Sequence, residues 1–412
     1  MSALLFIHGT GVRQPAYGET LTLLRDRLGA IVPGTPVHDC YWGDAFGVPP
    51  NVGTAVLPGA PVPAPEPEPE PEPVVVEELA EDDRDAVTWG VLYEDPLVPL
   101  RRQKGDDGGL DDAGGLMLGD RSGKRVEDRA RALAAGPPAP LERLLDIAGA
   151  REEFAVALTT VLDSPEGSDA LTHGLGPGQL PQAVATAAVA QLAGSAQRRG
   201  APLLWTKDER DEAVRIITGE LGGQTRGVGF FLVLGHGYVA HKLGVMRALE
   251  KRRAWLMTRS HPNAGDILKY LARGHGLRTL IKDRVTEVAR THGPVVLLAH
   301  SLGGIAAVDL LAQEELPGVR HLVTVGSQAA HLHEIGALPG LVPGSPLPGH
   351  FPAWTNVYDR RDLLGFTAEP VFPGRVTDIE LSSGQPFPAA HSGYFPNPEV
   401  HRLLAGILQS GA

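Results

Sequence analysis

The chain has a single cysteine, no long apolar run and fewer basic than acidic residues, and each shortage excludes a class of protein. Its one cysteine, Cys40, can form no disulfide within the chain and supplies no cysteine cluster for a metal. We interpret Cys40, which lies in an apparent strand, as a buried and unreactive thiol. The 37 Lys and Arg residues against 49 Asp and Glu residues give a formal charge of −12, which disfavours a nucleic-acid-binding surface.

No apolar run approaches the roughly 20 residues of a transmembrane helix. No basic leader precedes the first apolar stretch at 4–7, and that stretch is too short for the core of a signal peptide. From these absences we expect a soluble, cytoplasmic protein. With 412 residues and 42% hydrophobic content, the chain can bury one large core or two smaller ones.

What the chain does have is an alternation of apolar strands and helices towards both ends. Strands are predicted at 3–7, 37–42, 294–298, 319–325, 355–358 and 375–381, and helices at 19–28, 266–272, 280–291, 304–311 and from Pro398 onwards, with Asn397 as the cap. Strands separated by helices indicate a parallel sheet whose ligands bind at its C-terminal edge. We therefore predict an α/β fold with a doubly wound, mainly parallel sheet, formed by residues 1–47 and 264–412.

Residues 48–263 differ in composition and are predicted to be a large, mostly helical insertion. Its segment 59–75 is rich in Pro and Glu, which alternate over 65–73, and it is predicted to be an extended polyproline II spacer or a disordered loop. Helices are then predicted at 141–162, 180–196 and 207–221, the last beginning with a capping box from Thr206 to Glu209.

The most informative motif is Ala299-His300-Ser301-Leu302-Gly303. It follows the apolar run 294–298 and precedes the apolar helix at 304–311. A strand that turns sharply into a helix at x-His-Ser-x-Gly is the nucleophile elbow of serine hydrolases. The turn forces the serine into a strained backbone conformation, and small neighbours are needed where strand and helix crowd together.

This motif, the segment Phe6-Ile7-His8-Gly9-Thr10-Gly11 and a later Asp and His together resemble the α/β-hydrolase superfamily, specifically its lipase and esterase branches. The resemblance covers roughly residues 3–45 and 264–410. It implies a Ser…Asp…His triad in that chain order, on loops after successive strands. Here the order is met by Ser301, then Asp362 or Asp359, then His391.

Each member of this triad has a physical reason. Serine needs a base, and we expect His391 to supply it because it lies between the last predicted strand and the terminal helix. Family members commonly carry an Asp followed by two apolar residues, which favours Asp362 over Asp359 as the acid; the other would then support the turn. Asp266 and Asp309 are weaker candidates, interpreted as a helix start and a helix surface position.

The segment His8-Gly9-Thr10-Gly11 resembles the oxyanion loop of the same family. Its glycines let the backbone approach a substrate, and the amide of Thr10, or alternatively of Gly11, would donate to the oxyanion. The amide of Leu302 would be the second donor. His8, Gly9, His300 and Gly303 would support the two motifs, with His300 as packing at the elbow. We expect neither a metal nor another cofactor.

These features predict a serine carboxylester hydrolase that acts on a small-molecule or lipid-like, hydrophobic ester through an acyl-enzyme on Ser301. Residues 48–263 would form a helical cap that excludes water and shapes an acyl pocket. The apolar stretch 228–249 is interpreted as a core or lid helix, with peripheral membrane contact as the alternative. The rival hypotheses are a non-catalytic or regulated effector or binding module on the same fold, and an acyltransferase.

Overall fold

The computed structural model describes residues 2–48, 81–101, 115–173, 175, 178–199, 201–224 and 265–410. The Pro/Glu-rich segment 59–75 and the apolar stretch 228–249 lie outside these residues, so what the sequence predicts for them stays a prediction. By their internal contacts the described residues form two units. The first contains 2–48, 265–383 and 390–410, and the second contains the described parts of 81–224 together with 384–389.

The first unit is built on a parallel sheet of six strands. They are β1 (Ala3–Ile7), β2 (Val37–Cys40), β3 (Val295–His300), β4 (Val319–Val325), β5 (Ala353–Tyr358) and β6 (Val376–Glu380). Their order is β2-β1-β3-β4-β5-β6, and all neighbours are parallel. This confirms the predicted parallel α/β sheet. The chain passes from β1 to β2 on one side and later adds β3 on the other, so the strand order reverses between β1 and β3.

Helices connect these strands and form the second unit. They are α1 (Ala16–Ile31), α2 (Gly43–Phe46), α3 (Glu81–Glu94), α4 (Gly115–Ala135), α5 (Ala139–Ile147), α6 (Arg151–Leu162), α7 (Pro165–His173), α8 (Leu180–Arg198), α9 (Lys207–Glu220), α10 (His275–His292), α11 (Leu302–Gln313), α12 (Ala329–Glu334), α13 (Ala389–Ser392) and α14 (Pro398–Gln409). Residues 265–273 are also helical. No helix in the described part of the chain is long and apolar enough to cross a membrane.

The two faces of the sheet are covered by different helices. Leu5 of β1 belongs to a hydrophobic cluster with Ile281 of α10 and Ile305 of α11. The next side chain along the strand, Phe6, stacks on Tyr17 of α1 with ring centroids 5.6 Å apart. Because neighbouring side chains of a strand point to opposite faces, α1 lies on one face and α10 and α11 lie on the other. Burial on both faces explains why β1 is apolar at every position.

The second unit is helical, and α8 lies at its centre. Every residue of α8 from Leu180 to Ala190 is buried, and its many alanines let α3, α6 and α9 pack closely against it. The predicted capping box of α9 is confirmed: the Thr206 hydroxyl accepts from the Glu209 amide, and the Glu209 carboxylate accepts from the Thr206 amide. The buried apolar residues of this unit form a cluster of their own, separate from the core beneath the sheet.

The prediction of one helix over 141–162 is wrong. The segment forms two helices, α5 and α6, which are separated at Gly149. The backbone of Gly149 has φ +63°, a conformation that glycine adopts readily and that ends a helix. Gly149 is the signal for the break between the two helices. It is easily missed in the sequence because the apolar pattern of a helix continues on both sides of it.

Candidate active site

Ser301 lies between β3 and α11 in a strained backbone conformation. Its φ is 50° and its ψ is −120°, and it is the one non-glycine residue with a positive φ among those the structure describes. Its amide donates to the carbonyl oxygen of Val325 at 3.1 Å, which ties the turn to the end of β4. A strained residue persists only where its surroundings over-determine it, and such residues concentrate at functional sites.

The loop after β1 packs directly against this turn. A Cβ atom added to Gly9 would lie 2.8 Å from the Cβ of Ser301, and one added to Gly303 would lie 2.5 Å from the carbonyl oxygen of His8. Both distances are shorter than real Cβ contacts, so these two positions admit only glycine without movement of the backbone. The two sequence motifs that suggested a hydrolase therefore meet at the C-terminal ends of β1 and β3.

The loop His8–Gly11 is held at both ends and leaves its middle amide without a partner. At one end, the Trp42 amide donates to His8 Nε2 at 3.1 Å, the indole N–H of Trp42 donates to the His8 carbonyl at 2.9 Å, and the two rings stack. At the other end, the Gly11 amide donates to Asp266 Oδ2 at 2.9 Å. Between them, the amide of Thr10 has no hydrogen-bond partner within the described residues.

These contacts separate the two candidates for the oxyanion donor. The Gly11 amide is already bonded to a carboxylate, whereas the Thr10 amide is available to a ligand. The Leu302 amide is the first of α11 and likewise has no partner in the described part of the chain. The N-terminal amides of a helix carry partial positive charge, which suits them to bind a negative oxygen.

His391, on the short helix α13, is hydrogen-bonded to Asp362. Its Nδ1 lies 3.0 Å and 2.9 Å from the two carboxylate oxygens. The Asp362 side chain is fully buried and also accepts from the Leu364 amide and the Tyr394 hydroxyl. The other ring nitrogen of His391, Nε2, is buried and has no partner among the described residues. With its proton on Nδ1, the neutral imidazole has a free lone pair on Nε2.

His300 links the serine turn to the segment that carries His391. Its Nε2 donates to the carbonyl oxygen of His391 at 2.8 Å, and the two ring centroids lie 4.6 Å apart. Burial lowers the pKa of His300 well below its usual range, so the ring stays neutral. Its one proton lies on Nε2, because that nitrogen faces a carbonyl oxygen. Because His300 directly precedes Ser301, this bond places the imidazole segment beside the nucleophile motif. Among the described contacts, no hydrogen bond joins the Ser301 hydroxyl to the His391 imidazole. The sequence predicts only a packing role for His300 at the elbow. In the structure it also makes a hydrogen bond to the segment that carries His391.

Asp359, the alternative acid, has different partners. Its Oδ1 accepts from the Arg361 amide at 2.9 Å, and its Oδ2 accepts from the amide and the hydroxyl of Ser383, each at 2.7 Å. These bonds join the end of β5 to the segment after β6. Asp359 therefore supports the turn, and among the described contacts it is Asp362 that meets the imidazole.

The two weaker candidates for the acid lie elsewhere in the first unit. Asp309 is fully buried, so its interpretation as a helix surface position is wrong. It accepts from the Tyr270 hydroxyl at 2.5 Å and from Arg278 Nη1 at 2.8 Å. Asp266 lies in the helical stretch 265–273, and its carboxylate binds backbone amides of distant segments rather than the imidazole.

Tyr394 is a member of the site that sequence reasoning missed. Its hydroxyl donates to Asp362 Oδ2 at 2.8 Å and accepts from the Asp359 amide at 3.0 Å, so it connects the two loop aspartates. Burial raises the pKa of Tyr394, which keeps the phenol protonated as a donor. Its only signal in the sequence is its closeness to His391, three residues earlier, and Phe395 is almost as close to that histidine.

No group of three or more His, Cys, Asp or Glu side chains in the described part of the chain could hold a metal ion. A cleft of about 410 Å³ is lined by Ala353 and Val376, where β5 and β6 begin. Since the strands are parallel, that cleft lies at the opposite edge of the sheet from Ser301. The thiol of Cys40 is buried, and burial raises its pKa to about 12, so it is unreactive as expected.

Comparison with known protein families, with curated proteins and with solved structures finds no match for this chain. Its function is therefore inferred from its own fold and site.

Proposed function

We propose that this chain is a serine hydrolase of the α/β-hydrolase type that cleaves carboxylic esters through an acyl-enzyme on Ser301. The observation that carries the proposal is the His391–Asp362 pair, whose free Nε2 belongs to a segment bonded to the residue before Ser301. The setting supports it, because the strand order reverses between β1 and β3. In open α/β sheets, ligands bind beyond the C-terminal ends of the strands at such a reversal.

In the proposed reaction, the Ser301 oxygen attacks the carbonyl carbon of the ester while His391 Nε2 takes the hydroxyl proton. Asp362 holds the Nδ1 proton and stabilises the imidazolium cation. The tetrahedral oxyanion accepts hydrogen bonds from the amides of Thr10 and Leu302. His391 then gives its proton to the departing alcohol oxygen. A water molecule attacks the acyl-enzyme by the same steps, which releases the acid and restores the Ser301 hydroxyl.

One exposed apolar side chain next to the Asp362 carboxylate favours a hydrophobic ester as substrate. Leu363, next to Asp362, leaves 66% of its surface exposed. An acyl or alkyl chain that covered such a side chain would gain about 25 cal/mol for each Å² of apolar surface buried. We expect kcat/KM for nitrophenyl esters to rise with acyl chain length. A short-chain optimum would instead favour a plain esterase.

A fluorophosphonate probe tests the nucleophile directly, because the serine oxygen displaces fluoride and keeps the phosphonyl group. We expect one adduct, mapped to Ser301 by peptide mass spectrometry, and loss of both the adduct and ester turnover in Ser301→Ala. The matched control is Ser345→Ala, in the loop between α12 and β5, which should label and turn over like the native chain. No adduct on the native chain, or an adduct that survives Ser301→Ala, would contradict the proposal. Labelling without hydrolysis of any ester would favour an acyltransferase or a regulated effector.

A further inference from the structure

Asp266 is a fully buried carboxylate that belongs to neither motif of the site. Its Oδ2 accepts from the Gly11 amide at 2.9 Å, across a separation of 255 residues, and its Oδ1 accepts from the Val48 amide at 2.5 Å. We propose that Asp266 is a positioning residue, which fixes the loop after β1 so that the Thr10 amide points at the oxyanion. This inference rests on the proposed hydrolase function and adds to it a residue that acts through the backbone.

The hydrogen bonds around the loop lead to this role. His8 and Trp42 hold one end of the loop, and Asp266 holds the other. Gly11, with φ +70°, would otherwise leave the second half of the loop free to rotate, because glycine has many accessible backbone conformations. An oxyanion donor is effective only when it is fixed in advance towards the position where negative charge develops. By accepting from the Gly11 amide, Asp266 restricts rotation of the backbone next to Thr10 and so keeps the direction of the Thr10 amide fixed.

The charge of Asp266 is compensated locally, which lets it serve this site without opposing it. Arg13 Nη2 lies 3.5 Å from Asp266 Oδ1, and the same guanidinium donates to the carbonyl oxygens of Val12 and Val48 at 2.9 Å each. A buried carboxylate is costly unless it is paired and hydrogen-bonded. Here the carboxylate is both, and its two amide donors come from the loop after β1 and from the segment after α2. The Asp266 carboxylate therefore holds the backbone at Gly11 and the backbone at Val48 together, although the two segments belong to no common helix or sheet.

The experiment compares Asp266→Ala, Asp266→Asn and the control Asp309→Asn, which alters another fully buried aspartate that has no described contact with the loop. For an ester substrate, we expect Asp266→Ala to lower kcat about 10- to 100-fold with KM nearly unchanged.

A boronic acid inhibitor, whose tetrahedral adduct puts an oxygen at the oxyanion position, should lose affinity for Asp266→Ala by the same factor. The acid limb of the pH profile should stay in place, because His391 and Asp362 are untouched. Asp266→Asn keeps one acceptor for Gly11 and should recover part of the loss.

A second measurement does not depend on activity. Amide hydrogen exchange in a peptide that spans residues 8–11 should be faster in Asp266→Ala than in the native chain and unchanged in Asp309→Asn. Unchanged exchange in Asp266→Ala would overturn the inference even if the native chain hydrolysed no ester, a result that would separately refute the proposed function. Equal weakening of substrate and boronate binding, or the same loss in Asp309→Asn, would also overturn it, since either would indicate a general structural role.

Discussion

Four aspartates are buried in the first unit, and the donors that each accepts distinguish their roles. Asp362 accepts from an imidazole, Asp359 from a serine and a turn amide, Asp309 from a phenol and a guanidinium, and Asp266 from two distant backbone amides. A carboxylate is the same chemical group in all four places. What differs is the donor that each carboxylate accepts from. Asp362 orients an imidazole, Asp359 stabilises a turn and Asp266 holds a loop.

This distinction predicts unequal effects of two neighbouring substitutions. Asp362→Asn removes the charge that stabilises the His391 imidazolium, so kcat/KM for ester hydrolysis should fall by about 10⁴-fold. Asp359→Asn weakens bonds to Ser383 and should cost less than about tenfold in kcat/KM, with about 1–3 kcal/mol of stability. Ester turnover, normalised to the concentration of folded protein, compares the two variants. A larger loss of activity in Asp359→Asn would reverse the assignment of the acid.

At the scale of the element, helix ends follow signals that lie within a few residues. The Thr206 hydroxyl caps α9, and the Asn397 side chain caps α14 by accepting from the Glu399 amide. A glycine with positive φ separates α5 from α6. In each case a short polar side chain, or the absence of a side chain, satisfies or redirects backbone groups that the helix leaves unpaired.

The cap of α9 can be tested by substitution. Thr206→Ala removes the acceptor of the Glu209 amide and should lower the free energy of unfolding of the second unit by about 1 kcal/mol. Thr206→Ser keeps a hydroxyl and should behave like the native chain. Urea unfolding gives the stability, and hydrogen exchange at the Glu209 amide reports the cap itself. Native-like exchange at that amide in Thr206→Ala would show that the capping bond is unimportant in solution.

At the scale of the whole first unit, the site is built around histidines that are buried without charge. Burial lowers the pKa of His8 to about 3, and it also lowers the pKa of His300. In the unfolded chain a histidine titrates near its ordinary pKa of about 6.5. Below that pH the unfolded state binds protons that the folded state does not, so it is favoured increasingly as the pH falls.

Stability should therefore be fully present above about pH 6.5 and decrease as the pH falls towards about 3. In His8→Phe, which keeps an aromatic ring beside Trp42 but cannot titrate, the dependence of stability on pH in this window should be shallower. The difference in slope is at most about 1.4 kcal/mol per pH unit, the value for one proton. Urea unfolding at pH 7, 5 and 4 measures it. Parallel profiles for the native chain and His8→Phe would refute the role of His8.

Much of the fold could be predicted because its signals are local. The apolar run at 3–7 predicts the strand that the structure has as β1, and the alternation of strands with helices predicts the parallel sheet. The helix expected at 180–196 is α8, and the start of α9 was visible in its capping box. Runs of apolar residues, caps and glycines each act over a few residues, so their effect can be seen in the sequence without knowing what lies nearby.

The strands, the helix caps and the sharp turn at Ser301 follow from residues that are neighbours in the chain. The resemblance stated for the sequence favours Asp362 as the partner of His391, and the structure has that contact. Only the folded chain shows that His300 binds the His391 backbone across 91 residues and that Asp266 takes the Gly11 amide across 255. The tertiary structure also decided that Asp309 is buried. The reason is physical: these bonds depend on which distant segments the sheet brings together, and the pattern around either partner does not encode the identity of the other.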